Sequence, residues 1–386
     1  MVILRYVSFL LLFSSCIRLK DTVVSQEAFL GERSNSQDLY SRDGDGTLIN
    51  PFTINTDNWG TGILDRLLLI EFEALEGYRA IELQIFRDGD ESGALVILYY
   101  ADKEEADIYY SPGLNPDESM YNNVLNRSVL SQAVFNHTFN EIQGKLQASL
   151  KLTDRFGRPI EMKIAEENPR MKYCRLLAPI GGRADEPEFM TIVFMKQFRF
   201  LSRGEEGITV KINGQEAKLS KLPLKVNGVK GLQTKYSMNP VCVSWNIGGE
   251  REAEFIRSDN KGLFRGDNFE LQLVNNQGHV EIEQFTGLQD EQRVHFSFSP
   301  AVPDLICLRE GSIVEGNFTM GVDQVEGIMA GNYSVNRAGD SIKFNLKPTK
   351  GYSPVPGKAW MKQMSWEALL YPGSQGLVIN SKWEKQ

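Results

Sequence analysis

The sequence predicts an all-β protein built mostly from antiparallel strands, with little helix. Apolar and polar residues alternate with a period of two in many segments, and turns rich in Gly and Asn separate these segments. Few stretches show the period of an amphipathic helix. Because consecutive strands follow one another without helical crossovers, we expect antiparallel sheets arranged in barrel- or sandwich-like domains.

Pairs of alternating segments predict individual hairpins. The clearest has residues 146–152 and 160–164 on either side of the turn RFGRP. A second joins residues 81–85 to the run ALVILYY, and similar pairs occur at residues 269–282 and 333–346. The run at residues 64–72 fits a buried strand or a short helix. Residues 117–141 are the best candidate for a helix.

The chain is long enough for two domains. Its 386 residues exceed the roughly 250–300 residues at which a single core usually stops growing. A Gly pair and charged residues follow the apolar VCVSWN, so we expect an N-terminal β domain at residues 51–247 and a C-terminal β domain at residues 248–386. Two halves of this size are similar to a tandem lipocalin-like arrangement, a likeness of fold without a lipocalin signature.

The first residues predict a secretory signal. Arg5 precedes an apolar run at residues 6–13, and two small residues, Ser14 and Ser15, stand before Cys16. The run is shorter than the roughly 20 residues of a membrane-spanning helix. Its ending resembles a bacterial lipobox, with Phe13 where an aliphatic residue is usual.

This resemblance implies a bacterial lipoprotein. Residues 1–15 would be removed, Cys16 would carry the acyl chains, and residues 16–50 would form a flexible polar tether. The expected location is the cell envelope, at the outer membrane or the cell surface, with the lipid as the contact with the membrane. An ordinary signal peptide with an incidental cysteine, or a buried first strand, is the alternative.

Charge and cysteine content exclude several classes of protein. The net charge of −8 and the lack of a basic patch argue against nucleic acid as a partner. Cys174, Cys242 and Cys307 are widely spaced, without the C-x-x-C of common zinc and redox motifs. Their apolar neighbours favour buried free thiols over a disulfide.

A tyrosine-rich segment is the best candidate for a ligand-binding site. It contains Tyr99, Tyr100, Tyr109, Tyr110 and Tyr121 among polar and acidic residues. Tyrosine combines a flat apolar ring with a hydroxyl, which suits sugars and amphipathic ligands. Packing within strands, with one tyrosine of each pair buried, is the alternative.

One turn resembles part of a calcium site. Asp88, Asp90 and Ser92 place oxygens at alternate positions before Gly93, as in the first half of an EF-hand-like loop. Tyr99 stands where the loop would need its bidentate Glu, so a plain acidic hairpin turn is the alternative. Calcium is the one ion for which the sequence has a pattern, and no other cofactor is expected.

No known catalytic motif stands out. The histidines His137, His279 and His295 belong to no recognisable metal or triad pattern. Paired carboxylates such as Glu71 and Glu73 fit acid–base chemistry, but nothing singles out one pair.

These observations favour a non-catalytic envelope lipoprotein that binds a small amphipathic or carbohydrate ligand. The first alternative is an envelope enzyme, either a carboxylate-based hydrolase or a lipocalin-like enzyme acting on a lipid-like substrate. The second is a structural protein that assembles with another envelope protein.

Overall fold

The computed structural model describes residues 39–55, 61–88, 91–103, 105–116, 118, 127–167, 174–180, 190–202, 207–226, 229–257, 262–289, 292–323, 329–350, 364–374 and 376–385. In these residues the secondary structure is almost entirely strand, which confirms the predicted fold class.

From the N terminus, the strands are β1 (Thr47–Ile49), β2 (Ile54–Asn55), β3 (Ile63–Leu75), β4 (Tyr78–Asp88), β5 (Glu91–Tyr100), β6 (Ala106–Tyr110), β7 (Arg127–Gln132), β8 (Asn136–Ile142), β9 (Lys145–Thr153), β10 (Pro159–Ala165), β11 (Cys174–Ile180), β12 (Met190–Ser202), β13 (Ile208–Ile212), β14 (Gln215–Glu216), β15 (Lys221–Val226), β16 (Val229–Met238), β17 (Val241–Trp245), β18 (Gly249–Glu252), β19 (Phe255–Arg257), β20 (Leu263–Arg265), β21 (Phe269–Asn276), β22 (His279–Gln289), β23 (Gln292–Val302), β24 (Ile313–Val322), β25 (Met329–Ala338), β26 (Ser341–Lys350), β27 (Met364–Pro372) and β28 (Leu377–Lys385).

The first half of the chain forms two layers. Of the described strands, eleven form one sheet with the main order β2-β17-β12-β16-β3-β4-β5-β6-β7, while β11 and β15 pair with β12 and β16. A five-stranded sheet, in the order β14-β13-β10-β9-β8, supplies the second layer. Buried apolar residues from both sheets form one core, and in β9 and β10 they alternate with mostly exposed polar residues. The period-two pattern therefore marks the faces that meet in this sandwich.

Ten of the described strands of the second half form one sheet, in the order β18-β28-β27-β26-β25-β24-β23-β22-β21-β20, while β19 pairs with β1. One face carries the second core, which also includes residues from the N-terminal stretch and from β17. The ring of Phe52 lies 5.0 Å from that of Phe298, and Trp245 of β17 lies 4.1 Å from Phe296, between centroids. The strand β17 therefore belongs to the sheet of the first half and to the core of the second.

The beginning of the described chain is packed against this second core. Tyr40, Leu48 and Ile49 are buried, and β1 pairs with β19 in antiparallel register. Residues 39–50, at the end of the segment expected to be a tether, are therefore part of the folded body. The boundary between residues 247 and 248 falls between β17 and β18 and stays a prediction.

Neither large sheet closes on itself in the described part of the chain. The main path of the first sheet ends at β2 and β7, and the path of the second ends at β18 and β20. The sandwich alternative describes the first half, whereas a closed barrel, and with it the tandem lipocalin-like arrangement, is not seen among these residues.

The prediction of a helix at residues 117–141 was wrong for most of that segment. Residues Arg127–Gln132 form β7, which pairs in parallel with β6, and Asn136–Ile142 form β8, which pairs with β9. Pairing with neighbouring strands overrides the weak helical periodicity, since β structure depends strongly on tertiary context. The ambiguous run at residues 64–72 lies within the strand β3.

The segment predicted to carry the export signal lies outside the described residues. It includes Cys16, so the predicted lipidation stays a prediction. Within the described ranges, no helix combines the length and the apolar character that crossing a membrane requires.

Candidate functional site

The turn between β9 and β10 is built around Asp154. Its Oδ1 atom accepts hydrogen bonds from the backbone N–H groups of Phe156 and Arg158, both at 2.9 Å. Its carbonyl oxygen accepts a third, from Gly157, which has a positive φ of 78°. An aspartate that bonds the backbone two residues ahead fixes the shape of a turn, and glycine suits the positive φ.

This turn holds an aromatic ring in solvent. Phe156 is 57% exposed, one of the few large apolar side chains in the described residues that face water. The guanidinium groups of Arg155 and Arg158 each lie 4.7 Å from the centroid of its ring. Such contacts are attractive cation–π interactions. The ring and the two cations therefore form one mixed apolar and hydrogen-bonding surface, which we call the hairpin tip.

Arg155 is anchored by a buried carboxylate. Its Nε lies 3.1 Å from Oδ2 of Asp107, a fully buried residue on β6. Its Nη2 donates to the hydroxyl of Tyr100 at 2.8 Å, and Tyr100 in turn donates to Asp107 at 2.7 Å. Tyr78 also donates to Asp107, at 3.1 Å. Burial raises the pKa of Tyr78, so its hydroxyl keeps the proton that it donates.

Arg158 is anchored in the same way by a different pair of acids. Its Nε donates to Oδ2 of Asp154 at 2.8 Å, and its Nη1 lies 3.2 Å from Oε2 of Glu76. Glu76 lies in the turn between β3 and β4, so the hairpin tip joins turns from both layers of the sandwich. The two guanidiniums are thus held by three carboxylates, and their orientation is set before any ligand arrives.

The tyrosines predicted to bind a ligand divide between the two faces of their sheet. Tyr100 and Tyr109 are buried beneath the hairpin tip, and the Tyr109 hydroxyl accepts the backbone N–H of Arg155 at 2.9 Å. Tyr99 points to the opposite face, where it donates to Glu82. Tyr110 is half-buried, and Tyr121 lies outside the described residues. Alternation along a strand separates neighbours in this way.

A second polar network occupies that opposite face. Glu82 accepts hydrogen bonds from Tyr99 at 2.7 Å and from Gln84 at 2.6 Å, and Lys235 lies 3.2 Å from Glu71. Burial raises the pKa of Glu71 and of Glu82, and it lowers the pKa of Lys235. These contacts join β3, β4, β5 and β16, so this network braces the sheet.

The other predicted site residues are only partly described. Asp90 and the side chains of Asp88 and Ser92 lie outside the described residues, so the calcium hypothesis stays a prediction. The backbone there forms the expected hairpin, with Asp88 paired to Glu91.

The two cysteines whose side chains are described are buried. They are Cys242 and Cys307. The side chain of Cys174 on β11 is outside the described part.

The residues that make the hairpin tip were not predicted from the sequence. Glu76 and Asp107 lie far along the chain from the turn at residues 154–158, so their convergence on that turn has no local pattern. A local signal was present in the turn itself, where two arginines flank a phenylalanine in DRFGR.

No family model, no curated protein and no solved structure matches this chain. The geometry of the hairpin tip is therefore the basis for a functional proposal.

Proposed function

We propose that the folded body is a non-catalytic binding protein for a carbohydrate, and that the sugar contacts the hairpin tip. The observation that carries the proposal is the exposed Phe156 ring, fixed by the Asp154 turn and flanked by two guanidiniums. A sugar ring has apolar C–H faces and a rim of hydroxyls. Its C–H groups would pack on the exposed part of the aromatic ring, and its hydroxyls would bond to the arginines.

The support beneath the tip favours binding. Asp107, Asp154 and Glu76 already hold the guanidiniums of Arg155 and Arg158. Because these long side chains are ordered before a ligand arrives, less conformational entropy is lost on binding. Three buried tyrosines, Tyr78, Tyr100 and Tyr109, contribute by holding this support in place.

We further propose that acyl chains on Cys16 attach this body to a bacterial cell envelope. The proposal rests on the pattern of the first 16 residues, with a cation, an apolar run and small residues before the cysteine. Mass spectrometry of the protein from membranes should find a chain that begins at an acylated Cys16. The Cys16→Ser variant should be absent from the membrane fraction. A wild-type chain that carries no fatty acid would contradict the proposed anchor.

The binding proposal is tested with a carbohydrate array and the purified body. Phe156→Ala should weaken binding of the recognised glycan by about tenfold, equivalent to ~1.4 kcal/mol. The matched control is Phe255→Ala, since Phe255 is 54% exposed and lies on β19. It should bind as the wild type does.

Two outcomes would overturn the binding proposal. One is a wild-type protein that binds no glycan on the array. The other is equal binding by the Phe156 and Phe255 variants.

A further inference from the structure

Three residues with metal-binding side chains lie together at the second core. His279 begins β22, and Asp304 and Cys307 lie in the loop that follows β23. One ligand atom from each residue lies within 4.8 Å of the other two, and all three residues are buried. His279 Nδ1 is 3.2 Å from Asp304 Oδ2.

The donor set fits zinc. Imidazole nitrogen and thiolate sulfur are the ligands that zinc favours, and carboxylate oxygen is also common. Usual zinc–ligand lengths place tetrahedral N and O ligands about 3.3 Å apart, and S and N about 3.6 Å apart. The observed separation of His279 and Asp304 already has this size. Thiolate and carboxylate would together neutralise the two positive charges of the ion.

Neighbouring groups hold these ligands in place. Asp304 Oδ1 accepts the backbone N–H of Ile306 at 3.1 Å and of Cys307 at 3.3 Å, which leaves Oδ2 directed at the histidine. The ring of Tyr40 stacks on the imidazole of His279 at 3.7 Å. Partners of this kind, which orient the ligands of a metal, are a regular feature of metal sites.

The N-terminal segment covers the cluster and separates it from solvent. The carbonyl oxygen of Asp43 lies 3.9 Å from Cys307 Sγ, and the side chain of the exposed Arg42 lies near this thiol. Gly44 passes so close to residues 278 and 279 that an added Cβ would lie 2.2 Å from the Gly278 carbonyl oxygen. Displacement of the exposed Arg42 side chain would give an ion access to the sulfur.

We propose that His279, Asp304 and Cys307 bind one zinc ion, and that the ion fastens the loop after β23 to β22 beneath the N-terminal segment. Asp43 lies where its carbonyl oxygen, or a water beside it, would complete the coordination. The site has a structural role and is independent of the hairpin tip, which lies in the first half of the chain.

Cobalt is the spectroscopic probe for this site. The purified full chain, titrated with Co²⁺, should take up one equivalent and develop the near-ultraviolet band of a thiolate–Co²⁺ bond. Zn²⁺ should then remove the band by displacing cobalt. Zinc should also raise the melting temperature in a concentration-dependent manner, since it binds the folded state.

Variants separate this thiol from the other described cysteine, Cys242, which is also buried. Cys307→Ala should abolish the cobalt band and weaken zinc binding by more than the 10–100-fold that is typical of losing a supporting group. Cys242→Ala is the matched control and should keep both. His279→Gln tests the site without removing the thiol and should weaken zinc binding by a similar factor.

A wild-type chain that shows no thiolate–Co²⁺ band would overturn the proposal. So would an unchanged band in Cys307→Ala. Circular dichroism identifies a variant that fails to fold. If Cys307→Ala fails to fold, Cys307→Ser replaces it, because serine preserves the side-chain volume. The cobalt band should be lost in this variant too.

Discussion

Tyr40 stacks on His279, with ring centroids 3.7 Å apart and planes inclined at 19°. The hydroxyl of Tyr40 donates to Oε1 of Glu281 at 2.7 Å and accepts the backbone N–H of Asp304 at 3.2 Å. One side chain near the beginning of the described chain therefore connects β22 with the loop that follows β23. These contacts attach the N-terminal segment to the ten-stranded sheet.

We predict that Tyr40→Phe destabilises the protein by about 1–3 kcal/mol. The substitution preserves the ring but removes a buried donor, which leaves the Glu281 carboxylate with one fewer hydrogen bond. Denaturant unfolding measures the change. Tyr371→Phe is the control, because its hydroxyl bonds to Glu250 at the surface, and it should alter stability by less than about 0.5 kcal/mol. Equal effects of the two substitutions would contradict this account.

Asp154→Ala should destabilise the protein by ~3 kcal/mol. The residue is buried, accepts two backbone N–H groups and pairs with Arg158, so its removal leaves several polar groups without their partner. Asp154→Asn should recover part of the loss, because the amide oxygen still accepts the backbone hydrogen bonds.

The measurement for Asp154 is equilibrium unfolding in urea. Asp340→Ala is the control, since Asp340 is an exposed residue in the turn between β25 and β26. If Asp340→Ala lowered the free energy of unfolding as much as Asp154→Ala does, substitution of any turn residue would explain the effect, and the proposed role of Asp154 would be contradicted.

Local patterns predicted the strands and hairpins well because one face of each strand is buried. Examples are Leu146, Leu150 and Ile160, which face the core because every second residue of β9 and β10 is buried. Contacts between distant segments could not be predicted in this way. Glu71 and Lys235 lie on strands far apart in the chain, and no local pattern indicates that they pair in the sheet.

The N-terminal stretch shows the same limit. Its composition is polar, and its few apolar residues show no periodicity, so a tether was the natural expectation. Leu48, Ile49 and Phe52 are buried because the ten-stranded sheet presents an apolar face that they help to cover. Burial here depends on a surface formed by residues more than 200 positions away.

Phe52→Ala should therefore destabilise the protein by about 3–5 kcal/mol. The ring stacks on Phe298 with centroids 5.0 Å apart and planes inclined at 10°, and it also contacts Phe344 and Trp366. Thermal and denaturant unfolding measure the loss. Phe255→Ala removes the same atoms from an exposed position and should cost far less. A small effect at Phe52 would mean that the N-terminal stretch does not belong to this core.

The buried carboxyl group of Glu82 should make stability depend on pH. Burial raises its folded pKa above the ordinary value of 4.5. Above pH 4.5 the folded state therefore binds more protons than the unfolded state, and the free energy of unfolding falls as pH rises through the folded pKa. Each pH unit between the two pKa values contributes about 1.4 kcal/mol.

Glu82→Gln removes this dependence, so the variant should gain stability relative to the wild type between pH 4 and pH 7. Gln84 can rotate its amide so that Oε1, a buried atom without a hydrogen-bond partner, accepts from the new side chain. Ile81→Val is the control, since it removes a buried methyl group from the core face of β4 and no ionisable group. This variant should lose about 0.5–1.5 kcal/mol of stability at every pH. A difference between Glu82→Gln and the wild type that stays constant over this range would mean that the carboxyl group remains ionised in the folded sheet, with Lys235 as its counter-charge.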